Sequence, residues 1–271
     1  MPTYIPVLSI AGSDSSGGAG IQADIKTMSA LGVYAMTAIT AITVQNTLGV
    51  TAVQAIRPEI ITGQIDAVFA DIPPHAVKIG MLFDAATACA VADALACHHA
   101  YNIVLDPVMI STSGSRLLSE DAIDVIVRQL IPIADIITPN AMEAEALTAT
   151  TDPSQQIERL LDKGARAILI KGGDKDTTND TVTDWLYTPH DGTVRIDSSR
   201  IRSFNTHGTG CTLSSAIASF LAIGYPVAEA VFKAKEYISS AISTGSYVSV
   251  GHGHGPVDHF FAPIPLIKEE S

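Results

Sequence analysis

Asn205-Thr206-His207-Gly208-Thr209-Gly210-Cys211-Thr212 runs straight into Leu213, Ala216, Ile217, Phe220 and Leu221, spaced i, i+3, i+4, i+7 and i+8. That spacing is one face of a helix, and Gly224 with Pro226 marks its end. A loop with two glycines therefore meets a helix N-terminus that carries Cys211. Glycines let backbone N–H groups turn inward, and the helix start adds unpaired donors and the positive end of the macrodipole. Together they form a place for an anion, phosphate above all. The same field favours thiolate, which predicts that Cys211 ionises more readily than a free thiol.

Upstream, an apolar strand over 4–11 meets Gly12-Ser13-Asp14-Ser15-Ser16-Gly17-Gly18-Ala19-Gly20, then a helix through Ile21, Ile25, Met28 and Leu31. The glycines nearly fit a dinucleotide fingerprint, which also needs an acidic residue ending the next strand to hold a ribose. That strand, predicted over 38–44, ends in Gln45-Asn46, and no Walker loop is present. The first loop is instead expected against a small substrate, with Asp24 and Gln45 aimed at it. Residues 50–56 are expected to pair with the preceding strand as a hairpin around Asn46-Thr47-Leu48-Gly49. Helices are predicted from Pro58 and over 84–98, with a strand over 76–80 between them.

Ile103-Val104-Leu105 delivers Asp106 to a strand end, and Pro139-Asn140 opens a helix with Glu143 about one turn on. Asp106 and Glu143 offer oxygen ligands that suit Mg²⁺, directly or through waters. Lys171, between a strand over 167–170 and Gly172-Gly173, suits phosphate contact, or else snorkels at the strand end. A helix is expected over 119–131 and an antiparallel pair over 181–187 and 193–196. Strands alternating with helices imply an α/β fold, a mostly parallel twisted sheet with helices on both faces. Ligands of such sheets sit at the C-terminal strand ends. Gly12, Gln45, Gly80, Asp106, Asn140 and Lys171 are therefore expected along one edge facing Cys211, within a single domain over 1–271.

Hydrophobic residues make up 47% of the 271 and charged residues 16%, enough for a sizeable core. A net charge of -12 argues against a nucleic-acid or anionic-membrane surface. No apolar run is long enough to span a bilayer, and the first residues lack a secretory pattern. Cys89, Cys97 and Cys211 are a sparse, odd set without CxxC spacing, as in a reducing compartment, so a cytoplasmic protein is expected. Cys89, Cys97, His98 and His99 form no ligand pattern. His252, His254 and His259 lie in a glycine-rich tail, read as a packed loop rather than a metal site.

Ordered motifs then carry a resemblance over nearly the whole chain. They are Ile10-Ala11-Gly12 through Lys26-Thr27, Val44-Gln45-Asn46-Thr47, Lys78-Ile79-Gly80-Met81-Leu82, Leu105-Asp106-Pro107-Val108-Met109, Thr138-Pro139-Asn140-Ala141-Met142-Glu143-Ala144, Lys171-Gly172-Gly173 and the opening stretch. The sequence resembles the ribokinase-like superfamily, whose fold has three layers, and within it the hydroxymethylpyrimidine/phosphomethylpyrimidine kinases of thiamine biosynthesis. The resemblance implies two transfers of the ATP γ-phosphoryl group, to 4-amino-5-hydroxymethyl-2-methylpyrimidine and then to its monophosphate. Gln45 would bond the pyrimidine edge, with Gly12, Asp24, Met81 and Val108 shaping its pocket. Lys171, Asn140, Thr206 and Thr209 would contact the nucleotide, and Asp106 and Glu143 would organise Mg²⁺. The backbone from Gly208 to Gly210 and Cys211 would form the anion hole.

Related sugar kinases have an aspartate base where this chain has Cys211, so its thiolate would act as base or its thiol would only position the hydroxyl. The resemblance also implies a homodimer. A pyridoxal kinase on the same scaffold is the nearest rival, and a non-catalytic ribokinase-like binding protein a rival of another class.

Overall fold

The computed structural model describes all residues except 111–113, 115, 116, 174–177 and 271. After a two-residue strand, β1 (Thr3–Tyr4), comes β2 (Pro6–Ala11), all six of whose residues are buried. A strand covered on both faces has no solvent side to show, which is why this stretch is apolar but for Ser9, itself buried and bonded to Asp24. Helix α1 (Gly20–Ala30) returns the chain to β3 (Tyr34–Ile39), parallel to β2.

The strand expected over 38–44 is two strands. Thr40 is fully buried and its Oγ1 donates to the Met81 carbonyl oxygen at 2.6 Å, which turns the chain. Beyond it β4 (Ala41–Asn46) leaves the sheet and pairs antiparallel with β5 (Gly49–Ala55), the hairpin expected there. This flap has a register shift at Val44/Gln45.

The alternation continues through α2 (Pro58–Asp71), β6 (Ala76–Ile79), α3 (Ala85–Cys97) and β7 (Ile103–Leu105). Pro58 suits a first turn, where its missing N–H is no loss, and the Asp84 side chain caps α3 by accepting from Thr87 N. The helix expected over 119–131 is α4 (Glu120–Val125) followed by a wide turn (Ile126–Leu130) and a tight one (Ile131–Ile133). Pro132, with no N–H to donate, falls in that tight turn.

Next come β8 (Ile136–Ile137), α5 (Ala141–Thr148), α6 (Pro153–Asp162) and β9 (Ile168–Ile170). The antiparallel pair is β10 (Thr181–Thr188) and β11 (Gly192–Ser199). Helices α7 (Thr209–Ile223) and α8 (Val227–Gly245) follow, and β12 (Lys268–Glu269) pairs with β1.

The central sheet has the order β11-β10-β9-β8-β7-β6-β2-β3, parallel from β9 to β3. Leu8, Ile10, Ile79 and Leu105 pack on one face with α2, α3, α4 and α6, whereas Val7, Val104 and Leu169 pack on the other with α7 and α8. These are the three layers. Each such fully buried side chain contributes about 1.5–3 kcal/mol.

Candidate active site

A cavity of about 1450 Å³ lies over the C-terminal strand ends, roofed on one side by the β4–β5 flap. Gly12, Gln45, Met81 and Met109 line one half, and Arg200, Phe204 and Ile242 the other. Between them stand Asp106, Asn140, Glu143 and Lys171, facing Thr206, Gly208, Thr209, Gly210 and Cys211.

Gly208 is the N-cap of α7 in a left-handed conformation (φ 77°), and an added Cβ would lie 1.9 Å from the Gly18 carbonyl oxygen. Only glycine lets the two glycine loops touch in this way. Asp14 ties them further. Its carboxylate accepts from the N–H groups of Ser16, Gly18 and Ala19 at 2.8, 3.0 and 2.8 Å, and from His207 Nε2 at 2.7 Å. Burial alone would raise its pKa, yet the bonds from His207, Ser16 and Ala19 pull it down to about 2. The donors that a dinucleotide phosphate would use in the first loop are thus taken by the chain's own carboxylate. Gln45 is tied to the same loop, because Ser15 Oγ donates to its carbonyl oxygen (2.7 Å) and accepts from its N–H (3.0 Å). Its side-chain amide reaches to 3.3 Å from His207 Nε2. A bulge at this point re-aims the side chain into the cavity.

Across the cavity Lys171 Nζ donates to Asp106 Oδ1 at 2.7 Å, and Thr138 Oγ1 donates to the same oxygen at 3.1 Å. Burial would raise the Asp106 pKa, but Lys171 and Lys78 hold it below the usual carboxylate range. Asn140 and Glu143 form a capping box on α5, the Asn140 side chain accepting from Glu143 N and the Glu143 side chain from Asn140 N. Asn140 Oδ1 is therefore used, and its amide nitrogen is the group left for a ligand. Burial pushes the Glu143 pKa up to about 7, opposed by Lys171 and reinforced by the charge of Asp106.

Among the described residues no cluster of three or more His, Cys, Asp or Glu side chains is placed to cage a metal. Asp106 and Glu143 nonetheless fit Mg²⁺, which takes a carboxylate or two and fills its remaining positions with water and phosphate. A cation between them would also relieve the like-charge repulsion that raises Glu143.

Four expectations need correction. Asp24 is fully buried and lines no part of the cavity; it pairs with Lys78 Nζ at 2.9 Å and accepts from Ser9 and Ser215. Val108 packs behind the wall with Met81 and Leu117, and its neighbour Met109 faces the cavity. Cys211 is harder, not easier, to ionise: burial pushes its pKa up to about 11, outweighing the pull of Lys78 and of the Gly20 N–H, while Asp24 and Asp106 add to the rise. Gly80 also stays outside the cavity lining, its Cα facing Lys78 Nζ and Ala11.

The glycine-rich tail packs on the flap turn: the N–H groups of His252 and Gly253 donate to Thr47 Oγ1, and that of His254 to the Thr47 carbonyl. That places it beside the Gln45 half of the cavity. His259 is buried against Thr212. Asp14, His207 and Lys78 received no role from the sequence. Each carried a mark: an acid inside a glycine loop, a histidine adjoining the second loop, and a lysine within an apolar strand.

A sequence model of phosphomethylpyrimidine kinases matches residues 14–258, most of the chain. The chain belongs to the phosphomethylpyrimidine kinase family. A family member from Rhizobium meliloti, the hydroxymethylpyrimidine/phosphomethylpyrimidine kinase, is 49% identical over 259 residues, covering 93% of this chain and 96% of its own. The thiamine biosynthesis bifunctional protein ThiED of Geobacter sulfurreducens is 46% identical over 94% of this chain, which spans 52% of that longer protein. The fold extends to a pyridoxal kinase of Staphylococcus aureus solved with AMP-PCP and pyridoxal: TM-score 0.86, 32% identity, 95% of this chain and 94% of that one. The phosphomethylpyrimidine kinase fold is thus shared with a pyridoxal kinase.

Proposed function

We propose that this protein transfers the γ-phosphoryl group of ATP to 4-amino-5-hydroxymethyl-2-methylpyrimidine, and then a second one to the monophosphate, in thiamine biosynthesis. The observation that carries this reading is the α7 N-terminus with Cys211, set opposite Lys171 and Asp106 in one cavity with Gln45. Identity of 49% with a hydroxymethylpyrimidine/phosphomethylpyrimidine kinase, against 32% with a pyridoxal kinase, supports the pyrimidine over pyridoxal.

Gln45 bonds the aminopyrimidine edge, and Gly12, Met81 and Met109 hold the ring. The hydroxymethyl oxygen then faces the Gly208–Cys211 backbone. That oxygen forms a bond to the γ-phosphorus, the bond from the γ-phosphorus to the β–γ bridging oxygen breaks, and ADP departs. Charge on the transferring group is met by the N–H groups at the start of α7 and by Lys171. Lys171, Asn140, Thr206 and Thr209 hold the nucleotide phosphates. Asp106 and Glu143 would hold Mg²⁺, which neutralises phosphate charge when bound. At rest Cys211 is a thiol, and Sγ orients the hydroxyl; the hydroxyl proton leaves late, to a phosphoryl oxygen and then to water.

A single domain carries the whole reaction, and the protein works as a cytoplasmic homodimer. The apolar outer face of the flap (Ile42, Val44 and Leu48) supports the dimer, and among the described residues no helix is long and apolar enough to cross a membrane. Coupled ADP release with Mg²⁺-ATP tests the reading, comparing the pyrimidine, its monophosphate and pyridoxal. Turnover of both pyrimidines well above pyridoxal is expected; turnover of pyridoxal alone would reject the assignment.

A further inference from the structure

Cys211 lies in the first turn of α7 and shares the cavity wall with Gly20, the first residue of α1, whose N–H pulls the thiol pKa down. One turn further along, Asp24 of α1 and Ser215 of α7 meet, with Ser215 Oγ donating to Asp24 Oδ1 at 2.7 Å. Lys78, from β6, completes the cluster: Nζ lies 3.0 and 2.9 Å from the two Asp24 oxygens, and Ser9 Oγ donates to Oδ2 at 2.6 Å. Both charged side chains are 0% exposed. Gly80 leaves the space that Nζ fills, since a Cβ there would lie 2.7 Å from it.

A fully buried ion pair is a weak device for stability, because desolvation offsets most of the attraction and an apolar pair would serve as well. What the arrangement does supply is a fixed ammonium in a low-dielectric place, bound to an Asp24 that sits one helical turn along from the thiol. We propose that Lys78 is a positioning residue that sets the electrostatic potential at Cys211 Sγ and at the acceptor oxygen beside it, with Asp24 trimming that potential. The other charged groups around Sγ are Asp106 and, bound to it, Lys171. Burial raises the proton affinity of the thiol, Lys78 lowers it, and Asp24 and Asp106 raise it again. The part concerning the acceptor rests on the kinase reading; the part concerning the thiol does not.

The test uses a Cys89→Ser/Cys97→Ser parent, in which Cys211 is the remaining thiol of the three in the sequence. Alkylation by iodoacetamide is followed from pH 7 to 10 without substrates. Lys78→Gln is expected to slow alkylation about tenfold, one unit of thiol pKa, and Asp24→Asn to accelerate it. A merely structural role moves both variants the same way, and that result overturns the proposal. Lys78→Gln/Asp24→Asn removes both charges together and so folds without an unpaired buried charge. It is expected to alkylate more slowly than the parent, and a rate equal to or above the parent's overturns the proposal even where a single variant fails to fold. In the kinase assay kcat is expected to follow the alkylation order, with acceptor KM within about twofold. Alkylation in the expected order with an inactive parent would reject the kinase reading and leave the Lys78 assignment standing.

Discussion

Replacing Gly208 by alanine tests whether the anion hole depends on contact between the two glycine loops. The position has φ 77°, which costs an L-residue about 1–2 kcal/mol. A new Cβ would lie 1.9 Å from the Gly18 carbonyl oxygen, 2.8 Å from its carbon and 3.1 Å from Ala19 Cα, all backbone atoms. The loops must therefore part by about 1 Å, which moves the N–H groups of Gly210 and Cys211 off the phosphoryl position. A misplacement of about 1 Å costs on the order of 10²-fold in rate. Coupled ADP release should show kcat down about 100-fold, and calorimetry a fall in Tm of several degrees. Gly210→Ala is the control for stability alone, because its Cβ meets no backbone, only the Lys171 amine at 3.3 Å and Asp106 at 3.6 Å. Alanine in a helical position should leave Tm unchanged or higher. A Gly208→Ala enzyme with kcat within threefold and an unaltered Tm would refute the loop-contact argument.

Cys211→Ala should cut turnover severely and leave pyrimidine binding by calorimetry largely intact; unchanged turnover would remove Cys211 from the mechanism. Gln45→Ala should chiefly weaken pyrimidine binding, and an unaltered Kd rejects that assignment. Glu143, with a folded pKa of about 7 against 4.5 for the free group, binds more protons folded than unfolded between those values, so its contribution to stability is lost as pH rises through that window. Glu143→Gln, which keeps the capping box, should therefore raise Tm at pH 8 and not at pH 4, while lowering kinase activity; a Tm difference independent of pH counts against a raised pKa.

The α7 start was legible because glycine punctuation and helical spacing coincide there, and the flap hairpin because its turn residues lie between two β-prone runs. The break at Thr40 was not. Ala38-Ile39-Thr40-Ala41-Ile42 is β-prone throughout, and the bond that turns the chain comes from Met81, distant in sequence. Asp24 was misread for a similar reason. An acid in the second turn of a helix beside a glycine loop looks aimed at a ligand, and its true partner is a lysine 54 residues away in an apolar strand. Local pattern identifies which residues carry charge or a thiol, whereas burial and the partners met there decide their protonation, and both are properties of the assembled layers. Cys211 shows the difference most plainly.

The most direct measurement is ³¹P NMR of the reaction of ATP with hydroxymethylpyrimidine, followed in time. The account predicts that a pyrimidine monophosphate resonance rises first and is then consumed as the diphosphate appears, both steps vanishing in Cys211→Ala. Release of inorganic phosphate without either pyrimidine ester would contradict it.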